Sequence, residues 1–470
     1  MKNIADVMTV VAMFLLVLSK SSPFVHATYN SYGDLTAYNW LYSANASVNV
    51  DQWTSFHFEG LNCSVIHVSA VIREGFPWPS IEDANRITLL YEKLKSSISS
   101  LDTSQYKFLK SSVNFYEHLA NPDMFLFYRR IEDIALIADR FAKRLLFFLK
   151  SNNDELKFIS SSKLKAIAST AEFRKQFTYT LTGVKANQTV NDLSDRLLRY
   201  YENCARVESI ARSKEFLKEH YHFLNGSYFQ NVKKAINQRL NLVNSKLDEG
   251  EVELLYLMCP YDRACFDRPE WCNILTDREK DIIGYFRDLK MYYTLGYGNS
   301  VIPSVACPLI QNIFRGMDES IEGRKGYSKG IFRFGHSETL MTLYAALGLF
   351  KDDVPLRADN YETMKSRKFN MTQMTPHSAN LMFVLYECSD GLSSAKKYVV
   401  KMFQNEEEVE IPRCSGKVCA YEELRALHAG NIELCDRSTV CDPSSTANKS
   451  SSHTLILLLS TLYIGFAALR

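Results

Sequence analysis

The 470-residue sequence has no excess of charge of either sign and contains little glycine or proline. Its formal net charge is only +2 at pH 7, so it lacks the basic footprint of a nucleic-acid-binding protein, and we expect no nucleic-acid partner. The 19 glycines and 12 prolines form no low-complexity block, and we find no internal repeat. The composition, 46% hydrophobic and 23% charged, is that of an ordinary globular protein.

The sequence also lacks a long apolar run near its start. The run Val7 to Leu18 is shorter than the roughly 20 residues that a membrane-spanning helix needs. It follows Lys2 and leads to Val25-His26-Ala27, which places small residues at the cleavage positions. This pattern is typical of a signal peptide, assigned here to residues 1–27, and predicts entry into the secretory pathway.

A second apolar run, Leu455 to Leu469, ends one residue before the end of the sequence. The several Lys or Arg residues that usually flank a spanning helix are missing there. Small residues, a polar spacer and a terminal apolar tail are typical of a GPI-attachment signal, assigned here to residues 444–470 with attachment at Ser444 or Ser445. A short spanning helix is the alternative. The expected location is the extracellular face of the plasma membrane, with secretion or the ER lumen as alternatives.

All eleven cysteines follow the predicted signal peptide, and disulfides are the expected state of cysteines in an oxidising compartment. The close pairs Cys414/Cys419 and Cys435/Cys441 could each close a small loop, and the odd total predicts one unpaired thiol. No pair has the C-x-x-C spacing and no His-x-x-x-His set lies nearby, which argues against a zinc site. We expect neither a metal nor another cofactor.

Six N-x-Ser/Thr sequons are predicted glycosylation sites and agree with this compartment. They begin at Asn45, Asn62, Asn187, Asn225, Asn370 and Asn448.

Three segments combine an apolar strand pattern, a tight loop and the start of a helix. The strands are Val65 to Ile72, Leu156 to Ile159, and Ile331 to Gly335. A strand that leads through a loop into a helix aims backbone N–H groups at an anion. Since helical patterns dominate between the second and third segments, for example in Val190 to Leu224 and Asn231 to Leu247, we predict an α/β fold with a helical insertion.

The predicted ectodomain, residues 28–443, is longer than one compact core usually holds. We place the α/β core at about 60–165 and 325–415, and the largely helical insertion at about 166–324.

Three longer stretches resemble the branch of the histidine phosphatase superfamily that contains the multiple inositol polyphosphate phosphatases. They are Tyr261 to Ser300, Phe332 to Tyr361 and Ser378 to Asp390. The resemblance implies a histidine-phosphatase-like α/β core with an α domain, and hydrolysis of phosphomonoesters of inositol polyphosphates. It also implies a disulfide between Cys63 and Cys388. Further cysteines at positions shared with the family are Cys259, Cys272 and Cys307.

The resemblance further implies two active-site motifs. In RHGxRxP, a histidine takes the phosphoryl group and arginines hold its oxygens. This chain keeps Arg73 and Gly75 but has Glu74 at the nucleophile position and Pro77 at the second arginine position. Another arginine that grips phosphate in the family, after the second strand, corresponds to Lys165 here. Lysine keeps the charge but not the planar bidentate grip.

The second motif, His-Ala-Glu or similar in the family, is retained. His336 takes the position of a phosphate-binding histidine and Glu338 that of the proton donor. A carboxylate about 4 Å from a phosphate oxygen repels it by about 4 kcal/mol in a partly screened setting. Loss of a covalent nucleophile costs on the order of 10⁶ in turnover in another enzyme class.

We therefore predict a pseudophosphatase, with Glu74 ionised among Arg73, Lys165 and His336 and replacing the charge of the substrate phosphate. An inositol polyphosphate or another phosphomonoester remains the expected ligand. The alternatives are a working inositol polyphosphate phosphatase with a divergent mechanism, such as a carboxylate nucleophile, and a hydrolase of a different phosphomonoester.

Each retained residue also has a structural interpretation. Arg73 could pair with a carboxylate. His336 and Glu338 could cap the following helix, because an acidic residue near a helix start is stabilising. Lys163 and Lys165 could belong to a solvated surface.

Overall fold

The structure is a computed structural model that describes the chain in nine segments. They are residues 32–42, 48–75, 79–98, 132–150, 155–186, 190–242, 246–266, 270–391 and 395–442. The predicted signal peptide and anchor signal therefore lie outside the described residues. So do Pro77 and the sequons that begin at Asn45, Asn187 and Asn448.

Nine strands of the described segments form one mixed sheet. They are β1 Ser55–Phe58, β2 Leu61–Arg73, β3 Leu156–Ser160, β4 Asp192–Leu193, β5 Gly330–Gly335, β6 Asn380–Ser389, β7 Lys397–Gln404, β8 Glu407–Val409 and β9 Val418–Ala420. The order is β4-β3-β5-β2-β6-β7-β8, with β1 beside β2 and β9 beside β7. The strands β4, β3, β5 and β2 are parallel, and the remaining pairs are antiparallel. The predicted α/β fold class is confirmed.

Helices cover both faces of this sheet. Those before β4 are α1 Tyr38–Leu41, α2 Ile81–Ile98, α3 Glu132–Arg144, α4 Leu146–Lys150 and α5 Leu164–Thr182. Those between β4 and β5 are α6 Asp195–Leu198, α7 Ala205–Arg212, α8 Lys218–Asn225, α9 Ser227–Arg239, α10 Glu249–Phe266, α11 Asp277–Leu295, α12 Ile302–Val305 and α13 Cys307–Ile321. After β5 come α14 Ser337–Leu347, α15 Met371–Met374, α16 Tyr421–Leu427, α17 Ala429–Glu433 and α18 Arg437–Cys441.

Alternation along β2 explains why helices are needed on both faces. Val68, Ala70 and Ile72 belong to the core that includes α3 and α5, whereas Val71 belongs to the core that includes α13 and α14. Successive strand residues point to opposite faces, and a strand buried on both faces reads as a continuous apolar run. This is why β2 is buried without interruption from His67 to Arg73.

The region predicted as one helical stretch from Val190 to Leu224 is divided in the structure, and that prediction is wrong in detail. It contains the edge strand β4 and the three short helices α6, α7 and α8. Two constraints from distant parts of the chain interrupt it: β4 pairs with β3, and Cys204, just before α7, is bonded to Cys441. Neither constraint is visible in local periodicity.

Five disulfides join the described residues. They are Cys63–Cys388, Cys204–Cys441, Cys259–Cys272, Cys307–Cys435 and Cys414–Cys419. The first joins β2 to β6, as the resemblance implied, and the last closes the short loop suggested by its spacing. The suggested Cys435/Cys441 loop is wrong, because each of these cysteines instead bonds to the region between β4 and β5. The side chain of the eleventh cysteine, Cys265, lies outside the described part of the structure.

Among the described sequons, Asn62 and Asn225 are exposed and Asn370 is half-buried. The side-chain oxygen of Asn370 accepts a hydrogen bond of 3.0 Å from the backbone N–H of Thr372 at the start of α15. Glycosylation at these positions remains a prediction. No helix in the described segments is long and apolar enough to cross a membrane.

Candidate functional site

The candidate site lies where three neighbouring parallel strands end. The strand register pairs Arg73 of β2 with Gly335 of β5, and Ser160 of β3 with Phe334 of β5. The residues that follow these strand ends therefore meet at one edge of the sheet, the usual location of ligand sites in α/β proteins. These residues are Glu74, Ser161 and His336.

Two backbone hydrogen bonds fix this meeting point. The N–H of Glu74 donates to the carbonyl of Gly335 over 3.1 Å, and the N–H of Ser161 donates to the carbonyl of Phe334 over 3.1 Å. Glycine at 335 is needed because a Cβ there would lie 2.6 Å from the Thr339 hydroxyl. The same hydroxyl accepts a 3.0 Å hydrogen bond from the backbone N–H of His336, which fixes the start of α14.

The carboxylate of Glu74 is buried, with 1% of the residue exposed, and each of its oxygens faces a basic group. Lys165 Nζ lies 2.8 Å from Oε1, and His336 Nδ1 lies 3.0 Å from Oε2. Burial favours a higher pKa for Glu74, but the close contact with His336 and the charges of Lys165, His336 and Arg73 outweigh it and hold the pKa well below its usual range. Glu74 is therefore ionised.

The guanidinium of Arg73 contacts two backbone carbonyls and a histidine. Its Nη1 donates to the backbone carbonyls of Asp34 and Thr375, and its Nη2 lies 3.2 Å from Nε2 of His377. Arg73 therefore acts on Glu74 through its charge, as predicted, while Lys165 and His336 make the direct contacts. The suggested pairing of Arg73 with a carboxylate is also replaced by these carbonyl contacts.

His377 is a neutral partner for Arg73. Burial, followed by the positive charge of Arg73, lowers the pKa of His377 well below its ordinary value. A neutral imidazole can accept a hydrogen bond at one nitrogen, so Nε2 of His377 accepts a hydrogen bond from Arg73. The sequence analysis missed His377, although it directly precedes Ser378, where one of the family-like stretches begins.

Both ring nitrogens of His336 are occupied. Nδ1 faces Glu74 at 3.0 Å, and Nε2 lies 2.9 Å from the hydroxyl of Ser161. The ring is therefore held by the site, while only the backbone of His336 takes part in capping α14. Ser161, which the sequence analysis also missed, is the middle one of three consecutive serines and the first residue after β3.

Glu338 lies in the first turn of α14 and is half-buried. One of its oxygens accepts a 2.9 Å hydrogen bond from the hydroxyl of Ser337. This position is favourable at the N-terminal end of a helix dipole, and the role of Glu338 as proton donor remains a prediction.

The cationic side chain of Arg199, next to the site, is also paired with carboxylates. Arg199 Nη1 lies 3.0 Å from Asp195 Oδ2 and 3.3 Å from the Ser162 hydroxyl, and the same guanidinium binds Glu202. Lys163 is exposed, as expected for a solvated residue.

A single group of metal-type ligands occurs among the residues that the structure describes, Cys414, Cys419 and Glu423, and its two cysteines are joined in a disulfide.

The fold is that of the second branch of the histidine phosphatase superfamily. The family model described as "Histidine phosphatase superfamily (branch 2)" matches residues 133–405, which is more than half of the chain. The chain therefore belongs to this superfamily.

Within the superfamily, the chain is similar to proteins named multiple inositol polyphosphate phosphatase 1. It is 27% identical over 386 residues to the one from Gallus gallus, covering 81% of this chain and 85% of the relative. It is 26% identical over 412 residues to the one from Homo sapiens, covering 83% of this chain and 84% of the relative.

Among solved structures, the Bifidobacterium longum multiple inositol polyphosphate phosphatase in complex with inositol hexasulfate has a TM-score of 0.64 at 14% identity, covering 86% of this chain and 98% of that one. The phytase from D. castellii has a TM-score of 0.65 at 17% identity, covering 86% of this chain and 88% of the phytase chain. At these identities the similarity shows the fold.

Proposed function

We propose that this chain is an extracytoplasmic, membrane-anchored histidine-phosphatase-fold protein whose phosphomonoesterase activity is lost or severely impaired. The observation that carries the proposal is the buried, ionised carboxylate of Glu74 at the position of the histidine nucleophile. Its oxygens contact Lys165 and His336, the two groups that would otherwise hold a substrate phosphate.

The first argument concerns the missing nucleophile. Histidine phosphatases of this family divide the reaction through a phosphohistidine, and such covalent steps replace one difficult displacement by two easier ones. His336 does not replace the missing histidine, because Glu74 and Ser161 occupy both of its ring nitrogens. A carboxylate nucleophile at Glu74 would need free oxygens, and both lie within 3.0 Å of a basic nitrogen, one of Lys165 and one of His336.

The second argument concerns charge. A phosphate placed beside Glu74 would meet a negative charge, with a repulsion of about 4 kcal/mol at 4 Å in a partly screened environment. Arg73 does not offset this repulsion through direct contact, since its guanidinium is bound to two carbonyls and to His377. The site therefore already contains the negative charge that substrate would bring.

We propose that the ligand class of the site is still that of the relatives, an inositol polyphosphate or another phosphomonoester, bound weakly and without efficient turnover. The support is the retention of Lys165, His336 and Glu338 at the strand ends. The alternative, a working phosphatase with a divergent mechanism, is tested by the same assays.

Restoring the nucleophile alone is expected to restore little activity. The Glu74→His variant should release phosphate from inositol hexakisphosphate only slowly, because Pro77 still lacks the donors of the second arginine. The double variant Glu74→His, Pro77→Arg should release it faster, because cationic donors stabilise the transferring phosphoryl group. Phosphate release by the purified ectodomain measures both.

The matched control is the triple variant Glu74→His, Pro77→Arg, Glu338→Ala. It should lose the activity gained by the double variant if Glu338 is the proton donor. A Glu74→His variant as fast as the double variant would contradict the role assigned to Pro77. Activity that survives Glu338→Ala would contradict the role assigned to that acid.

The membrane anchor is tested on intact cells. If residues 444–470 are a GPI signal, phosphatidylinositol-specific phospholipase C should release the protein into the medium, since only the lipid holds it. Retention at the surface, while a known GPI-anchored protein on the same cells is released, would reject the lipid anchor. It would favour the short spanning helix.

A further inference from the structure

A carboxylate, an imidazole and a hydroxyl are connected in series at the strand ends. Oε2 of Glu74 lies 3.0 Å from Nδ1 of His336, and Nε2 of the same ring lies 2.9 Å from Oγ of Ser161. These are the two contacts that define a Ser-His-acid arrangement: a hydroxyl within reach of a base, and the base oriented by an acid.

The charges assign the direction of both contacts. Because Glu74 is ionised and accepts only, a neutral His336 would carry its hydrogen on Nδ1, the nitrogen that faces Glu74. Nε2 then carries the lone pair, and the hydroxyl of Ser161 donates to it. In this neutral form the imidazole can remove a proton from serine.

The backbone gives Ser161 the setting of a nucleophile. It directly follows the parallel strand β3 and stands three residues before α5, a strand–turn–helix setting that also presents the nucleophilic serine in α/β-hydrolases. The N-terminal end of the 19-residue helix α5 provides positive potential for a developing oxyanion. Lys165, in the first turn of α5, adds a positive charge.

We propose that Ser161, His336 and Glu74 form a nucleophilic triad that hydrolyses a neutral carboxylic ester. Ser161 and His336 are the catalytic residues and Glu74 is a positioning residue. A neutral ester is the substrate class because Glu74 repels the negative charge of a phosphomonoester. This activity goes beyond the proposed loss of phosphatase chemistry, and either can fail without the other.

The reaction balances with water as the second substrate. Oγ of Ser161 attacks the ester carbonyl carbon while its proton passes to Nε2 of His336, and Glu74 stabilises the imidazolium. The carbon–oxygen bond to the alcohol then breaks, and His336 returns the proton to the leaving alkoxide. Water attacks the acyl-serine and gives a proton to His336, which passes it to Ser161 as the carboxylic acid leaves.

Access to the hydroxyl determines the choice of probe. Ser161 has no exposed surface, whereas the side chain of Lys165, which contacts the same Glu74 carboxylate, is 40% exposed. The neighbouring side chains must therefore move before a substrate can reach the Ser161 hydroxyl. For this reason a small electrophile is the appropriate probe. We choose diisopropyl fluorophosphate, with p-nitrophenyl acetate as the turnover substrate.

The test is the rate at which the purified full ectodomain is labelled, with the modified residue located by peptide mass spectrometry. Labelling is expected at Ser161, with hydrolysis of p-nitrophenyl acetate lost in parallel. Ser161→Ala should abolish both. Ser162→Ala is the matched control and should change neither, because the Ser162 hydroxyl binds Asp195 rather than a histidine.

The role of Glu74 is tested by measuring how the rate of Ser161 labelling depends on pH. Glu74→Gln should slow labelling by about 100-fold or more and move the midpoint of the pH–rate profile to lower pH, since the imidazolium loses a neighbouring negative charge. Glu74→Asp should restore part of the rate. The proposal is overturned if Ser161 is not labelled, or if Glu74→Gln leaves both the rate and the pH profile unchanged.

Discussion

Replacing Glu74 by alanine is expected to raise the affinity for inorganic phosphate and for inositol hexakisphosphate by about 100-fold. The variant removes a buried negative charge and leaves Lys165 and His336 without their anionic partner. A repulsion of about 4 kcal/mol corresponds to about 10³ in affinity. We expect less than this because Lys165 is 40% exposed and its charge is partly screened by water.

Isothermal titration calorimetry measures the change directly, and phosphate release should remain at background because no histidine nucleophile has been supplied. The matched control is Glu172→Ala, which removes a carboxylate from the same helix as Lys165 in an ion pair with Lys175 and should leave affinity unchanged. An affinity for phosphate that is equal or weaker in Glu74→Ala would show that the carboxylate does not occupy the phosphate position.

Replacing Glu406 by glutamine is expected to destabilise the fold by about 3–5 kcal/mol. The Glu406 side chain is 7% exposed and forms ion pairs with Arg140 and Arg144, and it accepts a 3.0 Å hydrogen bond from the Tyr38 hydroxyl. Neutralising it leaves two buried arginine charges without their partner. Such an uncompensated charge costs more than an intact pair contributes.

The midpoint of urea denaturation, measured with the disulfides intact, reports this loss. Glu387→Gln is the control, because the Lys396 side chain that pairs with Glu387 is 53% exposed and such surface pairs contribute at most about 1 kcal/mol. A Glu406→Gln variant that unfolds at the same urea concentration as Glu387→Gln would contradict the importance of the buried cluster.

Local patterns were sufficient to place the strands that build the site. The apolar run that became β2 and the glycine that ends β5 are both visible in the sequence. Because parallel strands end at one edge of a sheet, Glu74 and His336 could be expected together before any coordinates. Lys165 follows from the same rule, since it lies in the first turn of the helix after β3.

What could not be predicted depends on contacts between distant segments. The guanidinium of Arg73 is turned by the carbonyls of Asp34 and Thr375, and carbonyl groups carry no sequence signal. The bond between Ser161 and His336 depends on the register of β3 against β5. The partners of Cys435 and Cys441 depend on how the C-terminal helices pack, so their short spacing was misleading.

The central claim is that Glu74 has replaced the phosphatase nucleophile and neutralised its site. It is tested most directly by phosphate release from inositol hexakisphosphate by the unmodified ectodomain, beside the Gallus gallus relative as a positive control. We expect release by this chain at the level of a protein-free blank, unchanged by Glu338→Ala. Turnover at a rate typical of an enzyme and abolished by Glu338→Ala would contradict the claim.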